Sequence, residues 1–576
     1  MDKTTAQKKK RMKKPWFLVT GIFMIASCHT PSTMHKIPAD SLFDKIKGAL
    51  VGQLLGNLNG LPYEEKYNDE PGTLSGYVPA LVPGAYTDDD TDIEWTYIIY
   101  MEKEDTLFLP DSSITHLWLK HFDRDIYSSN YYARELMKTG LSPRLTGNIF
   151  VNPWSRVNVA GQFNCETFAF VAPGMCRTAE EIAMHYTSVV VSEEPLQSTQ
   201  LFAAMIAKAF VTGNRDSILQ AGIAALDKNS HTFEAVTDAI RWVRQYPNDW
   251  KATRREVRKK YYFCDSFNKS LANTCAIIAE YLYGEGDFVK TMEIAFNWGF
   301  DADCNAATLG SILGAIKGYS WFEKNGWQIN DVYCNKNRKG LPEDETITRF
   351  AERIMKLADK AILQYGGKKE ILKEKLYYTI ALQEPATLCK VTPPDILFET
   401  FEKTYKQKIL AYFASGNPDT ALLAANTYLA YVLKIAEDIR DRNPEQWQKG
   451  INSLKRQNEL LWCVKNSPDN YVKKMLLTHG IQFVFPEPSL KGNVEFKLAG
   501  YPAASQVFVT GSLNGWKAWK TPMAKTAGGW MCRINLNPGR YEYKIVVDNV
   551  AMLDPANPLQ EQNVCDGTTN SILIVK

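Results

Sequence analysis

Apolar residues recur at intervals of three and four along most of residues 41–365. The windows 181–191, 200–211, 217–228, 231–245, 268–283, 288–296 and 305–319 each carry this period, which predicts amphipathic helices. Pro, Gly and Asn clusters separate them, and strand signals are few, so an all-α bundle is expected. Helical periodicity continues over 367–488, where Asp419–Ile439 and Pro444–Val464 are predicted helices. The second has Asn443 as N-cap and Pro444 at its first helical position. At Pro486-Glu-Pro488 the texture changes. Segments 494–498, 506–510, 530–536, 541–547 and 571–575 are short, rich in β-branched and aromatic residues, and several alternate apolar with polar. Asn514-Gly515, Gly528-Gly529 and Pro538-Gly539 divide them. Short strands at this spacing predict an immunoglobulin-like β-sandwich.

The N-terminus follows a different pattern. Seven Lys and Arg residues precede an apolar run from Trp16 to Ala26. Spanning a bilayer takes about 20 residues, so this shorter run reads as the core of a signal peptide. It ends in Ile25-Ala-Ser-Cys28, which resembles a bacterial lipobox, and cleavage before Cys28 would leave that thiol for lipidation. The expected address is the cell envelope of a Gram-negative bacterium, lipid-anchored at the periplasmic face or the cell surface. The predicted organisation is a leader over 1–27, a tether over 28–40, a helical domain over 41–366, a helical extension over 367–488 and a sandwich over 490–576.

Charge alters the picture once the leader is set aside. The whole chain of 576 residues carries a formal +3, but residues 1–27 contribute +6 of it, which leaves −3 for the remainder. No basic face for nucleic acid is implied. The other ten cysteines form no C-x₂-C pair of the kind that binds zinc. Cys165 with Cys176, or Cys264 with Cys275, are conceivable disulfide partners in an exported chain.

Two acidic clusters carry the candidate chemistry. One is Thr87-Asp88-Asp89-Asp90-Thr91-Asp92; the other is Asp301-Ala-Asp303-Cys304-Asn305. The first follows a predicted helix with Gly48, Gly52, Gly56 and Gly60, leading to Pro62 and Glu64, and the second opens a helix with Gly310, Gly314 and Gly318. Glycines every four residues line one helix face and let backbones approach closely. Neighbouring carboxylates stay ionised together only when a cation neutralises them. All-oxygen clusters suit Mg²⁺, Mn²⁺ or Ca²⁺. Either cluster taken singly is more often a solvated turn or a helix N-cap; the two together with Glu64 point to a metal site.

These three segments, in this order, resemble the ADP-ribosylglycohydrolase family. The resemblance implies a compact helical bundle with one or two metals, Mg²⁺ or Mn²⁺, in a surface cleft. It implies metal ligands among Thr87, Asp88, Asp89, Asp90, Asp301 and Asp303, with Thr87–Asp89 or Asp88–Asp90 as alternative sets. Glu64, Asp89 and Asp303 are the implied catalytic residues, Glu64 as ligand or general base. The acid usual in the family's first helix is replaced here by Gln53 or Asn57, and Cys304 stands where Thr is common. A thiol is a poor ligand for a hard cation.

Residues 490–576 resemble the glycogen-binding domain of the AMP-activated protein kinase β subunit. The residues that carry this are Gly511-Ser-Leu-Asn-Gly-Trp516, Tyr541-Glu-Tyr-Lys544, Asp554-Pro555 and Asn570-Ser571. The resemblance implies α-glucan binding through Trp516, Lys544, Thr568 and Asn570. The second stacking Trp falls at Ala551, so half the platform is missing unless Trp519 or Trp530 replaces it. The combined expectation is a metal-dependent hydrolase of ADP-ribosyl or other glycosides. ADP-ribosylated substrates belong mainly to the cytoplasm, so export stands in tension with them and makes another glycoside the alternative. An inactive glycan-binding lipoprotein is the rival.

Overall fold

A computed structural model describes residues 33–86, 88–262, 269–335, 337–415, 418–562 and 568–576. The leader, Cys28 and Thr87 lie outside the described residues. Two helices, Ala39–Gly60 and Ala302–Lys317, form the axis of the helical domain. Their glycines interlock reciprocally. A Cβ on Gly52 would stand 2.1 Å from the Gly310 carbonyl oxygen, and one on Gly310 2.0 Å from that of Gly52. One turn on, Gly56 meets the backbone of Ala306, and Gly60 that of Asp303. This register sets the C-terminal end of the first helix against the N-terminal end of the second. Around the pair lie Asp89–Lys103, Glu194–Ala209, Ser270–Gly284 and Phe288–Trp298, over a continuous apolar core that includes Trp95, Trp118 and Trp298.

The predicted helices lie close to the observed ones, and His231–Gln245 coincides with its window, capped by the Ser230 side chain. Five expectations need correction. The tether stops short of residue 40, because Met34–Pro38 is a strand and the first long helix starts at Ala39. That strand pairs antiparallel with Lys375–Ala381, which also pairs with Lys368–Leu372. Residues 368–381 therefore complete the helical domain, and the helices of the extension begin only at Pro394. The run 419–439 is broken at Lys434, whose φ of 59° ends Leu423–Val432 before Ala436–Arg442. The run 444–464 is likewise split into Pro444–Lys455 and Asn458–Asn466, and Asn443 makes no side-chain cap bond. Finally, Cys165, Cys176 and Cys275 are free, buried thiols; Cys264 lies outside the described residues.

The extension has its own core of Phe413, Tyr428, Tyr431, Trp447 and Leu454, joined by Tyr132 and Leu136 of the helix Ser128–Lys138 and by Trp519 of the C-terminal domain. That last domain is a β-sandwich. One sheet holds Val494–Ala499, Gly529–Ile534 and Ala524–Thr526; the other is built around Gly539–Val547, which pairs with Val507–Gly511, Val550–Met552 and Thr569–Val575.

Candidate metal centre and carbohydrate face

The interlocked glycines bring Asn57 and Asp303 to one level, and the start of Asp89–Lys103 completes the arrangement. Asn57 Nδ2 donates to Asp88 Oδ2 at 2.9 Å, Asp90 Oδ2 at 2.8 Å and Asp303 Oδ2 at 3.4 Å. Ligand atoms of Glu64, Asp301 and Asp303 lie within 4.8 Å of one another, as do those of Asp90, Asp303 and Cys304. These groups form the floor of a cleft of about 610 Å³, walled by Tyr127, Ser128, Asn130 and Trp154. Asp89 also lines it. The backbone beside the acids is strained: Glu65 and Phe300 are left-handed, with φ of 58° and 60°. The Glu65 N–H donates to the Phe300 carbonyl at 3.1 Å, which locks the two strained residues together.

Electrostatics make the bare cluster unfavourable as a set of anions. Burial, then Asp303, Asp301, Asp89 and Asp88, push Glu64 up to about 10. Burial raises Asp301 to about 7 and puts Asp89, Asp90 and Asp303 well above the usual carboxylate range, with mutual repulsion adding to it. The Oδ1 atoms of Asp301 and Asp303 are buried without a hydrogen-bond partner. Acceptor oxygens converging in this way fit a hard divalent cation, which would answer the repulsion and the missing partners together. The Cys304 thiol, raised by burial, points at Asp90 Oδ1 at 3.2 Å and remains protonated.

The partners of Asp92 and Gln53, and the groups Arg338, Glu94, Glu166 and Thr308, escaped the sequence reading. Asp92 is fully buried and held by Arg338 through Nε at 2.6 Å and Nη2 at 3.0 Å, yet burial still lifts it to about 7. Arg338 also donates to the carbonyls of Arg124 and Asp125, fixing the chain that leads to Tyr127. One turn below Asn57, Asp90 and Cys304 sits a second polar layer, in which Gln53 donates to Glu94 at 2.9 Å and Thr308 to Glu166 at 2.6 Å. The four-residue spacing of Asp90 to Glu94 and of Gln53 to Asn57 was the available signal. No sequence signal marks Arg338.

On the sandwich, Lys544 and Asn570 lie on neighbouring strands of one sheet, with Thr568 just before the second. Asn570 is 2% exposed and donates to Glu542, so it is not presented to solvent as expected. Neither candidate replaces the missing Trp. Trp519 is packed against Trp462 and Phe483, and Trp530 lies in the sandwich core with its Nε1 on the Tyr501 carbonyl.

The described residues thus form a helical domain with an acid-floored cleft, a helical extension and a C-terminal β-sandwich. The ADP-ribosylglycohydrolase sequence profile matches residues 38–364, more than half of the chain. The chain belongs to that family. The profile described as the glycogen recognition site of AMP-activated protein kinase matches residues 494–576. Among curated proteins, the chloroplastic Protein FLOURY ENDOSPERM 6 of Oryza sativa subsp. japonica is 39% identical over 72 residues, 12% of this chain and 13% of that protein. The 5'-AMP-activated protein kinase subunit beta-2 of Homo sapiens is 32% identical over 71 residues, 12% of this chain and 25% of that subunit. The chain thus spans a quarter or less of these relatives. A solved structure titled ADP-ribosylglycohydrolase-related protein complex matches with TM-score 0.39 and 15% identity, over 56% of this chain and 99% of that one.

Proposed function

We propose that the chain is a divalent-metal-dependent hydrolase of glycosidic bonds, acting on an ADP-ribosyl or another glycoside, with an α-glucan held by the C-terminal domain. The observation that carries this is the pair of buried, unpartnered oxygens of Asp301 and Asp303 beside Glu64 at the floor of an open cleft. Glu64, Asp301 and Asp303 would hold one Mg²⁺ or Mn²⁺. The Asn57 amide, donating to Asp88, Asp90 and Asp303, already meets part of the negative charge there, which favours a single ion. Such an ion supplies Lewis-acid binding of sugar hydroxyls. Asp89, half-exposed at the cleft, is the carboxylate left to take a proton from the attacking water. The remaining carboxylates stabilise the positive charge that develops at the anomeric carbon. Water oxygen bonds to that carbon while the bond to the departing oxygen or nitrogen breaks, and the leaving group takes up a proton.

Thermal melts with and without Mg²⁺, alongside hydrolysis of ADP-ribosylated peptide and aryl glycosides, test this reading. Metal should raise the melting temperature of the wild type, and Asp303→Asn should lose both the rise and the activity. An undiminished metal effect in the variant refutes the site. We also read residues 1–27 as a lipoprotein leader, cleaved before a lipidated Cys28, that sends the chain to the cell envelope. Membrane fractionation of wild type against Cys28→Ser checks this, and equal fractionation at equal mass would exclude it.

A further inference from the structure

The loop that carries Trp516 is built to hold a fixed shape. Asn514 accepts from the Gly511 N–H at 3.1 Å and donates to Val509 O at 2.8 Å and Thr521 Oγ1 at 2.9 Å. The Trp516 N–H donates to the Gly511 carbonyl at 2.8 Å, which keeps this residue at a φ of 59°. A bulky side chain rarely adopts that conformation unless its surroundings enforce it. Both neighbours of Trp516 lie close to the helical domain. A methyl on Gly515 would lie 3.9 Å from the Asp123 carbonyl oxygen. On the other side, the Lys517 ammonium sits 4.4 Å from the centre of the Tyr131 ring and 3.1 Å from Glu459 Oε2.

Asp123 and Tyr131 bracket the stretch that gives Tyr127, Ser128 and Asn130 to the cleft wall. Trp516 thus sits between two residues placed beside the segment that walls the cleft. Four residues span at most about 14 Å, so Asp123, beside Gly515, is within that chain distance of Tyr127. Tyr127 is 61% exposed, and Trp154 is a second aromatic ring lining the same cleft. On the sandwich, Ala551 stands where the second stacking Trp belongs, and Trp519 and Trp530 are buried. Pyranose rings present apolar C–H faces that stack on aromatic side chains.

We propose that Trp516, Tyr127 and Trp154 form one track, along which a chain of pyranose rings runs from the sandwich into the cleft, so that the substrate is a glycoside borne on an α-glucan chain. The helical domain supplies the stacking surface that the sandwich has lost. For the bond that is cleaved, this rests on the hydrolase reading; for the binding of glucan it does not.

Isothermal titration of the full chain with maltoheptaose tests the track, using wild type, Trp516→Ala and Tyr127→Ala. Each substitution should weaken binding by roughly threefold to tenfold. Wild-type affinity in Tyr127→Ala overturns the proposal, and so does a wild type that does not bind. If Trp516→Ala fails to fold, Tyr127→Ala decides alone, because its side chain is exposed. Metal-dependent hydrolysis with no contribution of Tyr127 to glucan binding would sink the track and leave the hydrolase. Glucan binding across both rings in a protein that hydrolyses nothing would do the reverse.

Discussion

At position 57 an amide stands among three carboxylates, donating to Asp88, Asp90 and Asp303. Replacing it by an acid would turn three attractive contacts into repulsive ones. Asn57→Asp should therefore destabilise the metal-free protein by about 2 kcal/mol or more, and saturating Mg²⁺ should recover most of the loss. Melts in chelator and in metal read this directly; equal melting of both proteins in chelator would show that the amide is not what relieves the cluster. Position 57 also shows why the site was only partly legible. Residues four apart share a helix face, so Gln53 and Asn57 were equivalent in the sequence. They parted in the structure, where Gln53 bonds Glu94 a turn below the cluster. The acidic motifs were legible because residue type and spacing carry them. Arg338 was not, since an isolated arginine gives no sign of the buried Asp92 it meets.

Among the elements, the pairing of Ala39–Gly60 with Ala302–Lys317 matters most for the site. Backbone contact at Gly52 and Gly310 leaves no space for a methyl group. Gly310→Ala should push the helices apart, cost roughly 3 kcal/mol and carry Asp303 away from Asn57. The expected result is a lower melting temperature together with a reduced metal-induced rise. A variant that melts like wild type would mean that the helices tolerate separation there. The glycine pattern made this pairing readable. The breaks at Lys434 and at 456–457 were not, because no Gly or Pro marks them and apolar periodicity runs through. Strand Met34–Pro38 was missed for another reason: five residues have no strand signature apart from a partner far along the chain.

For the whole molecule, the unusual point is how the sandwich is attached. Glu459 of the extension pairs with Lys138 at 3.0 Å, Lys517 at 3.1 Å and Lys520 at 2.6 Å, and accepts from the Tyr131 hydroxyl at 3.3 Å. Burial would raise this carboxyl, but Lys520, Lys517 and Lys138 hold it far below the ordinary range. One side chain thus joins the helical domain, the extension and the sandwich. Glu459→Ala would leave three ammonium groups close together without their anion, a loss of about 2 kcal/mol at a partly buried site. The sandwich should detach more often, and limited proteolysis between residues 479 and 493 should speed up several-fold. Cleavage at the wild-type rate would mean that the aromatic contacts around Trp519 suffice.

The stitching of Met34–Pro38 to Lys375–Ala381 has a consequence for the order of folding. A chain made from its N-terminus has this strand early, while the partner comes after nearly all the helices. The first strand cannot pair until residue 381 is available, although the family match ends at 364. Pairing of that kind is a late, long-range event. Until it occurs, the first strand has unpaired N–H and C=O groups open to another chain.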